Sequence, residues 1–290
     1  MIEHISDTAR WVAVYRAMES ERPDALFRDP YARRLAGERG EAIVREMHRG
    51  YDASWAMIVR TAVFDEIITA AIRRNGVDAV VNLAAGLDTR PWRLPLPPAL
   101  RWVDVDLPAI LQYKTDNLTG QQPACRYEAI PADLTDGATR RTLLARLGSY
   151  GSNILVVTEG LLIYLTAAQA GELAADIARQ PSMQRWLIDL ANPTLLAWMN
   201  KSWGKTAARG NAPFQFAPAE GTDFFRPFGW KLVEFRSSLL ESRRLKREMR
   251  GAWIWKVLGR FMSAERRNEI TRMSAIVLLG RDEALTRHPV

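Results

Sequence analysis

The stretch Ala79-Val80-Val81-Asn82-Leu83-Ala84-Ala85-Gly86-Leu87-Asp88-Thr89-Arg90 decides the fold. Its first half, Ala79–Ala84, is short, apolar and rich in valine, the composition of a strand buried on both faces. The small residues that follow make a turn in which a ligand lies against bare backbone. The turn lacks the GxGxxG spacing of dinucleotide sites, and taken alone it fits a tight structural turn equally well.

Working outward, similar runs recur at Arg101–Val105, Cys125–Ile130, Ile154–Thr158, Gln184–Leu190, Lys231–Phe235 and Ala275–Gly280. Helical patterns separate them at Leu107–Leu118, Ala138–Leu147, Ala167–Arg179 and Glu220–Arg226. Strands alternating with helices predict a mostly parallel seven-stranded sheet covered on both faces, an α/β Rossmann-like fold. Upstream the pattern is helical: Ala9–Met18, Asp29–Ala36, Glu41–Met47, and then Ser54–Asn75, with Ile58, Ala62, Ile67 and Ala71 near helical spacing. The expected layout is one domain over residues 1–290: a helical cover over 1–75, and a core over 76–290 with a lid insertion at about 192–219. That insertion carries Trp198, Trp203, Pro213, Phe214 and Phe216, and it follows the fifth strand, where it can cover a crevice beyond the strand ends.

Acidic residues stand where strands end. Asp106, 20 residues after Gly86, is placed to accept from both hydroxyls of a ribose, or to cap the helix that Pro108 opens. Asp133, followed by Leu134, is placed to accept from an exocyclic amino group while Leu134 packs on an aromatic ring; an Asp after a strand is also a common turn residue. Glu159 enters an apolar run in Thr158-Glu159-Gly160-Leu161-Leu162-Ile163-Tyr164-Leu165. Burying a carboxylate there is costly without a cation or donor beside it, unless it only caps the next turn.

Composition narrows the classes. With 290 residues, 48% of them hydrophobic, the chain can bury a large core. No apolar run reaches 18 residues and the first residues have no leader pattern, so a cytoplasmic protein without a membrane segment is expected. Cys125 is the single cysteine and His4, His48 and His288 are scattered, so no metal site is expected. From Arg236 to Arg272, eleven Arg or Lys residues face four Glu, an excess equal to the whole net charge of +7. A nucleic-acid surface is one reading of that run; a solvated helical face is the plainer one, and no nucleic-acid partner is expected.

Taken in order, Asn82–Arg90, the Val105-Asp106-Leu107-Pro108 stretch and Thr158–Leu165 resemble the leucine carboxyl methyltransferase family, which includes bacterial polyketide O-methyltransferases. The resemblance spans roughly residues 5 to 235 and extends to Asp7-Thr8-Ala9, Asp29-Pro30 and Arg60-Thr61. It implies a class I methyltransferase fold and S-adenosylmethionine as cofactor. Arg60 would pair with the cofactor carboxylate, Ala84 and Gly86 would pass the backbone along the methionine part, and Asp106 would hold the ribose. Asp133 and Leu134 would frame the adenine, and Glu159 would face the α-amino end or the transferred methyl. Glu159 and Tyr164 are the candidate catalytic residues. Ala84 departs from the family, which often has Gly-Ala-Gly where this chain has Ala84-Ala85-Gly86.

The implied reaction is O-methylation of a carboxylate or phenolic hydroxyl on a small-molecule acceptor. The absence of a histidine near the motifs favours a carboxylate, which is ionised without a base, or an acidic phenol. Tyr164, Trp198, Trp203 and Phe216 either pack a core or line an aromatic acceptor pocket. The alternatives are a methyltransferase for a protein or peptide carboxylate, and a non-catalytic cofactor-binding or interaction protein. Acceptor identity and oligomeric state stay open.

Overall fold

The computed structural model describes residues 7–46, 50–209, 212–249, 251–252 and 262–282. His4, His48 and His288 lie outside these, as do Met47 of the third expected helix, residues 210–211 of the expected lid and part of the basic run.

Seven strands form one sheet: β1 (Ala79–Leu83), β2 (Arg101–Asp106), β3 (Arg126–Pro131), β4 (Ile154–Thr158), β5 (Met183–Ala191), β6 (Trp230–Ser237) and β7 (Ser274–Arg281). Their order is β3-β2-β1-β4-β5-β7-β6. The pairs from β3 to β5 are parallel, and β7 runs antiparallel to both β5 and β6. All seven expected strands are present, each within a residue or two of its expected bounds. Order reverses between β1 and β4, so a crevice opens beyond their carboxyl ends, where ligands bind in open α/β sheets.

Side chains alternate across the sheet. Val81, Val103, Val156, Trp186 and Ile188 face one side, with residues of α6 (Gly137–Leu147) and α7 (Ala167–Ala178). Val80, Trp102, Leu155, Val157 and Leu187 face the other, against Val59, Phe64 and Ile68 of α3 (Ser54–Arg74). Helix α7 starts on a capping box, with Thr166 accepting from the Gln169 N–H and the Gln169 side chain returning to the Thr166 N–H.

The N-terminal helices are α1 (Asp7–Ser20) and α2 (Ala32–Glu46). The expected break between two helices at Asp29–Ala36 and Glu41–Met47 falls at Gly37, whose φ of 59° and ψ of −179° no helix contains, so α2 is two helical stretches joined at a kink. Asp29 is outside that helix. Its carboxylate accepts from Arg16 Nε (2.8 Å), the Thr89 hydroxyl (2.7 Å) and the Tyr31 N–H (3.1 Å). Arg16 also donates to the Leu87 carbonyl at 2.6 Å. Thus α1 and the Asp29 loop hold the turn after β1 directly. Val14, Leu35, Ile58, Leu87 and Ile110 bury the seam between the cover and the sheet.

Helix α4 (Arg90–Arg93) is one turn after that loop, and α5 (Pro108–Asn117) follows β2. The expected lid contains α8 (Pro193–Arg209) and an extended return. The expected helix at Glu220–Arg226 is a 3-10 segment over Gly221–Phe228. The basic run holds α9 (Ser238–Arg244) and α10 (Ala264–Thr271). No helix among the described residues is long and apolar enough to cross a membrane.

Candidate functional site

A cavity of about 1340 Å³ lies beyond the strand ends. Its lining includes Arg60, Ala84, Gly86, Asp106, Asp133, Leu134, Glu159 and Tyr164, so every candidate site residue reaches one cavity. Leading residues of α1 and α3 cross over it, and α8, α9 and α10 wall its far side.

The turn after β1 is built from two left-handed residues. Ala84 has φ 54° and Gly86 has φ 52°. A Cβ on Gly86 would lie 3.1 Å from the Ala9 Cβ, so this glycine also makes room for the cover. Ala84 carries its methyl in a conformation that costs an L-residue about 1 kcal/mol. The departure noted in the sequence is therefore a backbone matter as well as one of pocket width.

Asp106, at the end of β2, ties this turn. Its Oδ2 accepts from the Gly86 N–H at 2.6 Å and its Oδ1 from the Leu107 N–H at 2.7 Å. Burial pushes its carboxyl above the usual range, against the pull of those two N–H groups. The helix-cap reading does not hold: α5 has Leu107 at its cap position and no side-chain cap bond. Asp133 is exposed at the cavity edge, and its Oδ1 accepts from the Thr135 N–H (2.9 Å) and hydroxyl (2.7 Å), the turn role.

Glu159 follows β4 and finds the cationic partners that its burial demands. It accepts from Arg60 Nε at 3.0 Å and meets Arg90 Nη1 at 2.8 Å. Burial alone would raise its carboxyl; Arg90 and Arg60 outweigh that and hold it below the usual carboxylate range. Asp189, at the end of β5, accepts from Arg60 Nη1 at 3.0 Å and from the Gly160 N–H at 2.6 Å. Arg90 in turn bonds Asp65 (2.6 Å) and Asp88 (2.7 Å), and Arg93 bonds Asp65 through both terminal nitrogens (2.6 and 2.8 Å). Arg60, Arg90 and Arg93 thus face Asp65, Asp88, Glu159 and Asp189; all but Asp65 line the cavity, and with Asp106 the lining acids of this floor outnumber its arginines by one.

Sequence reasoning did not assign roles to Asp65, Asp88, Arg90, Arg93 or Asp189. Asp189 carried a usable signal, an acid at the end of an apolar strand, as Glu159 does. Asp65 sits within a long helix and carried none. Behind the turn, Asp104 is fully buried and accepts from Asn82, Trp102, Lys114 and Tyr127 at 2.5–3.1 Å.

Tyr164 stacks on Phe214 with ring centroids 5.7 Å apart, and burial pushes its phenol up against the influence of the Thr8 hydroxyl. It therefore stays protonated near neutral pH. Phe216 is core, packed on Phe224 and Phe225. Trp198 is 49% exposed, lines the cavity, and meets Trp203 edge-on at 4.9 Å.

The basic run is not simply a solvated face. Arg236 and Arg244 both bond Glu66 of α3 at 2.7 Å. Arg247 is buried against Glu19 of α1, with Nε and Nη2 each 2.9 Å from its carboxylate. Folding spends these charges on joining the C-terminal part of the chain to the cover. Arg243, Arg244, Lys246, Arg266, Arg267 and Arg272 remain exposed, so much of the described run is still a solvated face.

Comparison with known proteins places the chain among methyltransferases by sequence. The family model for leucine carboxyl methyltransferase matches residues 9–178. A Parafrankia protein named “Putative S-adenosyl-L-methionine-dependent methyltransferase” is 36% identical over 190 residues, 60% of this chain and 59% of its own length. A Mycobacterium marinum protein of the same name is 29% identical over 84% of this chain and 86% of its own. The chain thus spans about three fifths of the Parafrankia relative and most of the mycobacterial one. The crystal structure of a DUF574 family protein from Streptomyces avermitilis shares the fold, with a TM-score of 0.61, 13% identity, and coverage of 94% of this chain and 97% of that one. With its fold, its ordered motifs and more than half its length matched, the chain belongs to the leucine carboxyl methyltransferase family.

Proposed function

We propose that this chain is an S-adenosylmethionine-dependent O-methyltransferase acting on the carboxylate, or an acidic phenol, of a small molecule. The observation that carries this is the anionic floor at the topological switch, Asp106 included. A net-negative floor suits a ligand bearing a sulfonium and an α-ammonium, and a half-buried carboxylate at the end of β2 suits a ribose diol. In this reading Arg60 takes the cofactor carboxylate, Ala84 and Gly86 flank the methionine part, Asp133 and Leu134 frame the adenine, and Glu159 faces the α-amino group.

When bound, the cofactor supplies a methyl on sulfonium sulfur; transfer to a carboxylate forms one C–O bond, breaks one C–S bond, leaves the electron pair on sulfur and releases no proton. The chain's task is then to align the acceptor and exclude water, which α1, α3 and α8 do by walling the cavity. Glu159, clamped between two guanidiniums, is a weak base, and Tyr164, kept protonated, is a donor able to hold the acceptor oxygen. Both favour an acceptor that is already ionised, the choice the lack of histidine also suggested.

Calorimetry with S-adenosylhomocysteine and NAD tests the cofactor, and mass spectrometry of a carboxylic-acid panel incubated with S-adenosylmethionine tests the chemistry. Binding of the sulfur nucleoside but not NAD, with methyl esters formed, is expected. NAD binding with no response to the sulfur nucleoside would overturn the reading.

A further inference from the structure

The sheet order splits the cavity into two halves of different chemistry. Asn82, Gly86, Asp106, Asp133 and Glu159 all lie at the ends of β1, β2, β3 or β4 or just after them, one half of the sheet. Residues of α1 and α3 cross over both halves, and the opposite wall follows β5 and β6 or leads into β7, which is antiparallel and so starts at this same edge. This second wall includes Trp198, Met199, Trp203, Met249, Met262 and Met273. Most of its charges have partners within it: Arg266 bonds Glu269 at 2.6 Å, Arg243 lies 3.6 Å from Glu248, and Arg267 donates to the Met262 carbonyl at 2.8 Å. The whole cavity, about 1340 Å³, exceeds the roughly 300–1,000 Å³ that encloses one drug-sized ligand.

On the methyltransferase reading, we infer that the acceptor is a bulky, largely apolar organic acid whose body lies against this tryptophan–methionine wall, with Trp198 and Met249 setting its size. The two are among the few large apolar side chains left exposed, at 49% and 36%, and both line the cavity, so an apolar body covers surface that otherwise faces water. Methionines are unbranched and adaptable, so the wall accommodates related bodies of different outline. A peptide carboxylate fits less well. Its backbone N–H and C=O groups would need partners on a wall made chiefly of apolar side chains and internally paired charges.

The test uses the full chain loaded with S-adenosylhomocysteine and measures its affinity for 2-naphthoate, dodecanoate and N-acetyl-Ala-Leu. The two apolar acids should bind at least about tenfold more tightly than the peptide. Trp198→Ala should weaken them at least about tenfold, the loss expected when much of an indole is no longer covered, while leaving S-adenosylhomocysteine affinity within about twofold. Met249→Ala, at the second exposed site of the wall, gives an independent check in the same direction. Peptide binding as tight as naphthoate, or apolar-acid binding untouched by both substitutions, overturns the inference with the methyltransferase reading standing. Failure of S-adenosylhomocysteine itself to bind overturns both.

Discussion

Arg247 offers the sharpest test of how the fold closes. Its guanidinium donates to the Glu19 carboxylate at 2.9 Å through two nitrogens and to the Asp24 carbonyl at 2.6 Å. Glu19 is fully buried, and apart from Arg247 its carboxylate has the Leu26 N–H at 2.7 Å and Arg22 Nε at 3.7 Å. Arg247→Met removes the charge and keeps the stem. The buried carboxylate then lacks its main counter-ion, a loss that costs about 3–5 kcal/mol. At roughly 2–4 °C per kcal/mol, the melting temperature should fall on the order of 10 °C. Adding Glu19→Gln should recover much of this, because the amide oxygen can still accept from Leu26 and no unpaired charge is left. The assay is thermal unfolding of wild type, both single variants and the double. A fall of less than about 2 °C in Arg247→Met would refute the reasoning and return this residue to the solvated face, where pairs are worth at most about 1 kcal/mol.

Three further outcomes follow from the site. Asp106→Ala should weaken S-adenosylhomocysteine binding about tenfold or more by calorimetry, since a bond to a charged group is worth about 1.5–3 kcal/mol; it should also lower the melting temperature by several degrees, because the Gly86 and Leu107 N–H groups lose their acceptor. Ala84→Gly should leave stability unchanged or raise it by up to about 1 kcal/mol in urea unfolding, the left-handed strain relieved being partly offset by a looser unfolded chain, with cofactor affinity retained; a loss above about 1 kcal/mol would contradict the φ of 54°. Glu159, Asp29 and Asp88 are held below the usual carboxylate range: burial opposes this, but Arg90 and Arg60, Arg16, and Arg90 respectively prevail. Depressed carboxyls contribute stability that is complete above their unfolded pKa of about 4 and is lost as pH falls through their folded values. Asp106, which burial raises, has the opposite sign and offsets only part of it. The melting temperature should therefore drop steeply below about pH 4, and a flat profile down to pH 3 would count against the network.

The sequence alone determined the strands, the turn and the family. A strand buried on both faces needs an unbroken apolar run, and a turn that approaches a ligand needs small residues; both requirements are local, so Ala79–Gly86 and Ile154–Thr158 declare themselves. Glu159 was legible for the same reason, since an acid inside such a run demands a cation. Which cation answers it was not legible: Arg60 is 99 residues away, and only the crossing of α3 over the ends of β4 and β5 brings it between Glu159 and Asp189. Within the basic run, Arg236 and Arg247 escaped the solvated-face reading on the same ground. A charge count knows nothing of Glu19, which is 228 residues upstream of Arg247 and meets it only after α1 has packed over the sheet. Tertiary structure also set β7 antiparallel between β5 and β6, and so brought the tryptophan–methionine wall to the edge where the strand-end acids stand. Local composition fixes which segments must be buried. The partners of buried charges are fixed by packing, because an ion pair leaves no periodic mark on either of the two segments it joins.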